Sequence, residues 1–217
     1  MATLLLVRHG RTAANAQGIL AGRAPGILLD DLGTEQAERT AERLAAVPLA
    51  AVVSSPLERT RETARRILEH QEHAPELLID DELTECGYGE WQGRKVGELA
   101  RDELWARVLR SPASVVFPGG ESMAGMQARA LAAVRRHDET IAAQHGENAV
   151  WAAVSHGDVI KSVLADALGM HLDLFQRIVV APASVSIVRY GGDHPDVLAV
   201  NSNGGDLSWL KESGTRT

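Results

Sequence analysis

The chain has 217 residues, 45% of them hydrophobic and 24% charged, with a formal net charge of −7. That length supports one sizeable core, and the apolar and charged shares are those of a soluble globular protein. An acidic balance argues against broad binding to nucleic acid or to an anionic membrane, both of which need a basic face.

The chain opens MATLLLVRHGRT. Its apolar run from Leu4 to Val7 is too short for a secretory h-region and meets Arg8 directly. It reads as a short buried strand over Thr3–Val7. Asp30, Asp31, Leu32 and Gly33 then punctuate the chain, and Thr34 is placed to cap a helix to about Ala46. Leu49–Val53 reads as a second buried strand. Leu57–Glu69 reads as a helix, and Glu76–Ile79 as a short strand. Gly87, Gly89 and Gly93 mark an irregular loop around Trp91. Val96–Leu109 reads as one helix, and Pro112–Gly120 as a loop. Ser122 is placed to cap a long helix reaching about Gln144. Ala149–Val154 is a strand, followed at Gly157 by a helix to about Leu168. Ser184–Tyr190 and Val197–Asn201 close the pattern as strands. Apolar strands alternating with helices predict an α/β fold whose parallel or mixed sheet is covered on both faces. No repeat, low-complexity tract or linker divides residues 1–210, which read as one domain; residues 211–217 form a polar tail. No stretch approaches the roughly 18 apolar residues of a membrane span. The one cysteine, Cys86, cannot form an internal disulfide, which fits a reducing compartment. A cytoplasmic protein is expected.

In open α/β sheets, ligands bind beyond the carboxyl ends of the strands. Several polar clusters fall there: Arg8-His9-Gly10, Ser54-Ser55-Pro56-Leu57-Glu58-Arg59, Leu83-Thr84-Glu85 and Ser155-His156-Gly157-Asp158. Together they would bring two histidines, two arginines and one glutamate to one rim. Such a rim is an anion site with a nucleophile and an acid at hand. Each residue alone has a plainer reading. His9 would be a structural or surface histidine, Arg59 a helix-surface residue paired with Glu62, Glu85 a solvated loop carboxylate, and His156 a cap for the helix that follows. Only the joint arrangement overturns these. His70 and His73 are spaced for one helix face but lack a third ligand, so no metal site is expected. No Gly-x-Ser-x-Gly elbow, Walker loop or His-Glu-x-x-His helix occurs.

Leu5-Leu6-Val7-Arg8-His9-Gly10-Arg11-Thr12, with Asn15 after it, resembles the opening motif of the histidine phosphatase superfamily, which includes cofactor-dependent phosphoglycerate mutase. Ser55-Pro56-Leu57-Glu58-Arg59-Thr60 with Thr63-Ala64 resembles the second motif of that superfamily. Leu83-Thr84-Glu85 with Gly89-Glu90-Trp91-Gln92-Gly93 resembles the third. Gly120-Glu121-Ser122 resembles the segment opening its long helix, and Ser155-His156-Gly157 its last motif. All stand in the family's order, from residue 4 to about residue 165.

The resemblance implies a three-layer α/β/α sandwich with a mostly parallel central sheet. It also implies metal-independent phosphoryl transfer, with no cofactor. His9 would be the nucleophile, since a neutral imidazole nitrogen can attack phosphorus. Arg8 and Arg59 would clamp phosphoryl oxygens with paired donors, Asn15 would add a neutral donor, and His156 would complete the clamp. Glu85 would be the general acid, which requires a raised pKa. Arg11 departs from the many relatives that carry an acidic residue there. It either extends the positive rim toward an acidic substrate or points to solvent. Arg23 is a second candidate for the substrate's non-phosphate part.

The expected activity is that of a phosphatase on small phosphoesters. The segment Gly93–Pro118 is short and offers few phosphate-binding candidates beyond Arg94 and Lys95, whereas the family's mutases carry a longer basic insertion there. A phosphoglycerate mutase-like phosphomutase is the second reading, and a non-catalytic sensor of a phosphorylated ligand the third. An apolar lid around Trp91 and Trp105 would accept a larger organic group. The expected partner is a small phosphorylated substrate, not nucleic acid or membrane, and a homodimer is left open.

Overall fold

The computed structural model describes residues 2–191, 193–208 and 210. In chain order the strands are β1 (Thr3–Arg8), β2 (Ala51–Ser54), β3 (Leu77–Ile79), β4 (Val150–Ser155), β5 (Val185–Arg189) and β6 (Asp196–Ser202). The helices are α1 (Ala13–Ala16), α2 (Asp31–Leu44), α3 (Glu58–Glu69), α4 (Val96–Leu99), α5 (Glu103–Arg110), α6 (Met123–His145) and α7 (Gly157–Ala167).

The strands form one sheet in the order β3-β2-β4-β1-β5-β6. β3, β2, β4 and β1 pair in parallel, while β5 runs antiparallel to both β1 and β6. The central strands β1, β2 and β4 are apolar at nearly every position because both of their faces are covered. Alternate residues go to opposite layers. Leu5, Val7, Val52, Ala152 and Val154 pack with Ala41 and Leu44 of α2 and Ala64 and Ile67 of α3. Leu4, Leu6, Val53, Trp151 and Ala153 pack with Met126, Ala130 and Val134 of α6 and Val159, Ile160 and Val163 of α7. The molecule is the three-layer α/β/α sandwich expected, with a mostly parallel sheet. No helix among the described residues is long and apolar enough to cross a membrane.

Register brings the chemistry to one edge. Arg8 lies opposite Ser155, and Ser54 opposite Val154, so β1, β2 and β4 end side by side. His9, Ser55 and His156 each follow directly.

Some boundaries differ from the sequence reading. Helix α2 starts at Asp31, and its cap is Asp30, whose Oδ1 accepts from the Gly33 amide at 2.7 Å. Thr34 lies inside the helix, its amide bonded to the Asp30 carbonyl. The helix expected over Val96–Leu109 is two. Asp102 accepts from the Leu104 amide and starts α5 afresh. The one-turn helix α1 escapes any periodicity, and is held by a capping box between Thr12 and Asn15. The polar tail expected at 211–217 lies outside the described residues.

Candidate active site

The loop after β1 is fixed before any side chain acts. The His9 amide donates to the Ser155 carbonyl at 3.1 Å, and the Gly10 amide to Thr63 Oγ1 at 3.1 Å. Gly10 is a glycine because the first turn of α2 presses against it: a Cβ there would lie 2.3 Å from the Gly33 carbonyl oxygen. A Cβ on Gly33 would in turn lie 1.8 Å from the Arg11 carbonyl oxygen.

His9 is buried, and its two ring nitrogens have different partners. Nδ1 lies 2.7 Å from the Gly10 carbonyl oxygen, which can only accept, so Nδ1 carries the proton. Nε2 therefore keeps its lone pair, and Arg59 Nε donates to it at 3.3 Å. Burial, then the charges of Arg59 and Arg8, hold the imidazole well below its ordinary pKa, so it is neutral at pH 7.

Arg59 is 2% exposed. It is not the helix-surface partner of Glu62, whose carboxylate instead accepts from the Leu29 amide. Arg59 Nη2 donates to the Gly22 carbonyl at 2.8 Å, and Arg8 Nη1 to the Val180 carbonyl at 2.6 Å. Each guanidinium is thus oriented by one backbone oxygen. Arg8 Nε and Arg59 Nη1, both buried, have no hydrogen-bond partner among the described residues. The same holds for Nδ1 of His156, whose Nε2 is 2.8 Å from Ser55 Oγ. His156 does precede α7, yet its side chain makes no capping bond. Its ring centroid is 5.2 Å from that of His9. Buried polar atoms without partners are rare. Two of these are guanidinium N–H donors and the third is an imidazole nitrogen able to carry a proton, which is a binding set for an anion.

Glu85 lies half-buried in the wall of the same cleft, its Oε1 accepting from the Cys86 amide at 2.9 Å. Burial and the charge of Asp158 raise its pKa to about 7, against the opposing pull of Arg59 and Arg8. At neutral pH such a carboxyl can give or take a proton. Asp158 is fixed in turn by the Tyr88 hydroxyl, which donates to its Oδ2 at 2.8 Å.

The cleft measures about 310 Å³. Arg8, His9, Arg59, Glu85 and Asn15 line it, whereas His156 does not line it but packs against the His9 ring. Asn15 Oδ1 is held by the Thr12 amide and hydroxyl, which leaves its NH2 group for a ligand. The two remaining candidates lie elsewhere. Arg11 is outside the lining and donates through Nε to Asp30 at 2.9 Å. Arg23 also lies outside it, bonded to Glu121 and to the Glu85 carbonyl. The expected lid of Trp91 and Trp105 is not a lid. Trp91 is 2% exposed and packs 6.0 Å from Trp105 and 5.4 Å from Phe117 in the core. The apolar wall of the cleft is instead Ile19, Leu20, Ile178 and Val179. Arg94 and Lys95 do not line it either. Sequence reasoning missed Tyr88 and gave Asp158 and Ser55 no role. Asp158 could have been found from its place two residues after His156, on the first turn of α7; Tyr88 carried no signal.

Residues 4–203 match the histidine phosphatase superfamily (branch 1). The chain is 37% identical over 206 residues to the bifunctional protein Rv2228c of Mycobacterium tuberculosis, covering 93% of itself but 54% of that protein. It therefore spans about half the length of that relative. It is 31% identical over 206 residues to phosphoserine phosphatase 1 of Hydrogenobacter thermophilus, covering 93% of itself and 92% of the relative. Among solved structures, the α-ribazole phosphatase of Shigella flexneri superposes with a TM-score of 0.80 at 27% identity, over 93% of this chain and 96% of that one. A buried neutral histidine after β1, facing two oriented guanidiniums and a proton-holding glutamate, is thus set in a sequence that aligns from β1 to β6, and the chain belongs to the histidine phosphatase superfamily.

Proposed function

We propose that the chain is a metal-independent phosphatase of small phosphoesters that works through a phosphohistidine on Nε2 of His9. The observation that supports this best is the Nδ1–Gly10 bond. It fixes the tautomer that leaves the Nε2 lone pair able to attack, beside donors that have no partner among the described residues. Nε2 attacks phosphorus while the ester P–O bond breaks. The electron pair goes to the leaving oxygen, which takes the Glu85 proton. Arg8, Arg59, the Asn15 amide and protonated Nδ1 of His156 hold the phosphoryl oxygens. Water then attacks phosphorus, its proton goes to the Glu85 carboxylate, and the P–N bond returns its pair to Nε2.

The mutase reading is less favoured because Arg94 and Lys95, its candidate extra phosphate ligands, lie outside the cleft lining. A sensor needs the clamp but neither an oriented neutral His9 nor a carboxyl that titrates near 7. Residues 1–210 act as one catalytic domain, in the cytoplasm. Phosphoserine and α-ribazole phosphate, after the relatives' names, head the substrate panel.

The test is phosphate release from p-nitrophenyl phosphate with EDTA present, comparing the native protein with His9→Ala. Activity that survives EDTA and is lost in the variant supports phosphohistidine chemistry. Equal activity in both proteins would overturn it.

A further inference from the structure

Gly120-Glu121-Ser122 takes no part in the chemistry above, yet its glutamate is the most heavily bonded carboxylate near the site. Glu121 Oε1 accepts from the Gly87 amide, from Arg23 Nη2 and from Arg129 Nη2, each at 2.8 Å. Oε2 accepts from Arg129 Nε at 3.1 Å. Both guanidiniums continue to the loop that carries Glu85. Arg23 Nε donates to the Glu85 carbonyl at 2.8 Å, Arg129 Nη2 to the same oxygen at 3.3 Å, and Arg129 Nη1 to the Glu82 carbonyl. One carboxylate thus sets two cations that grip the backbone of Glu85.

The backbone closes the same junction. The Glu121 amide donates to the Gly87 carbonyl at 2.8 Å, and the Glu90 amide to the Pro118 carbonyl at 2.9 Å. A Cβ on Gly120 would lie 2.1 Å from the Gly87 oxygen, so the two segments meet backbone to backbone. The ions are not loose surface groups: side-chain exposure is 22% for Glu121 and 15% for Arg129. Arg129 stands on α6, whose Met123 and Met126 are in the core, and Ser122 caps that helix on the Gly125 amide. Arg23 follows Gly22, whose carbonyl orients Arg59. The acid loop and the phosphate clamp are therefore fastened at one point.

We infer that Glu121 is a positioning residue for Glu85, acting through Arg23 and Arg129 to hold the acid loop where its carboxyl meets the leaving oxygen. This rests on the acid role proposed for Glu85. The prediction is a dependence on the leaving group. Nitrophenolate departs without a proton, whereas an alkoxide needs one. The experiment measures kcat/KM, which reports the steps through phosphohistidine formation, for p-nitrophenyl phosphate and for β-glycerophosphate. Glu121→Gln should lose about tenfold or more on the alkyl ester, a part of the roughly 10²–10⁴-fold that general acid catalysis supplies. It should lose less than about threefold on the aryl ester. Arg23→Met removes one grip at a side chain that is 42% exposed, so it keeps the fold, and should show the same selectivity in smaller measure. Glu85→Gln is the reference and should be the most selective. If Glu85→Gln is selective while Glu121→Gln and Arg23→Met lower both esters equally, the positioning role is overturned and the acid assignment stands. If Glu85→Gln is itself unselective, the acid assignment fails and takes the positioning role with it.

Discussion

Glu85 is a group whose proposed chemistry works against the stability of the fold. Its carboxyl titrates near 4.5 in an unfolded chain and near 7 here, raised by burial and by Asp158. Between those values the folded state binds more protons than the unfolded one, so stability falls as pH rises through that window. At about 1.4 kcal/mol per pH unit, the gap between 4.5 and 7 costs about 3 kcal/mol once pH exceeds 7. Glu85→Gln removes the charge and keeps an oxygen for the Cys86 amide. At pH 8 the variant should therefore be about 3 kcal/mol more stable than the native protein. At roughly 2–4 °C per kcal/mol for a chain of this size, Tm should rise by about 6–12 °C. At pH 5 both side chains are mostly neutral when folded, and the gain should shrink to less than about 1 kcal/mol. Urea unfolding followed by tryptophan fluorescence at the two pH values measures both differences. An equal difference at pH 5 and pH 8, or a variant less stable than the native protein at pH 8, would refute this account of the carboxyl.

Gly10→Ala places a methyl 2.3 Å from the Gly33 carbonyl oxygen, and both atoms belong to or sit on backbone. It should destabilise by about 1–3 kcal/mol or more and abolish phosphate release; a variant with native Tm and activity would show that the junction with α2 is soft. Trp91→Ala should lose about 3–5 kcal/mol in denaturant unfolding, because Trp91 fills the core beside Phe117. The variant's preference between small and bulky phosphoesters should not move, and a changed ratio would return Trp91 to the substrate. Because His9 titrates well below 6.5, kcat/KM for p-nitrophenyl phosphate should show no acid limb centred near 6.5. Such a limb would mean that the free nucleophile is partly protonated at neutral pH.

The architecture was legible because β1, β2 and β4 are buried on both faces, so they read as short apolar runs whose length fits a strand rather than a helix. Convergence was legible too. Arg8 ends β1, His9, Ser55 and His156 directly follow parallel neighbours, and the parallel register carries them to one edge. Local capping was harder. Asp30 and Thr34 are both competent N-caps, and only the pressure of the Arg11 carbonyl on Gly33 shows where the turn must close. Trp91 was misread because an aromatic in a glycine-rich loop looks like a cover, whereas here the loop folds inward and buries it. Arg23 was a candidate for the substrate and is found bonded to the Glu85 carbonyl and to Glu121, outside the cleft lining. A single long side chain can reach either side of a strap, and sequence spacing does not choose between them. The tautomer of His9 depends on a backbone carbonyl one residue away, which no pattern of side chains encodes.

His9 and Glu85 feel the same two arginines, and the outcome is opposite in sign but common in purpose. Positive charge disfavours a protonated imidazole, so burial and the guanidiniums act together to keep His9 neutral. Positive charge also favours an ionised carboxylate, yet burial and Asp158 outweigh it at Glu85. His9 therefore meets a substrate in the form that the proposed first step needs, and Glu85, with a pKa of about 7, carries its proton in about half of the molecules at neutral pH. A bound phosphate dianion offsets the charge of Arg8 and Arg59 and adds its own repulsion, which drives Glu85 further toward the protonated acid. In the proposed second step, with the alcohol gone, Glu85 is left as a carboxylate whose pKa, about 7 in the free protein, is well above the ordinary carboxylate range. That is the condition for taking a proton from the attacking water. In the proposed cycle one carboxyl serves both half-reactions because its pKa lies between the demands of the two, held there by burial and Asp158 against the opposing pull of Arg59 and Arg8.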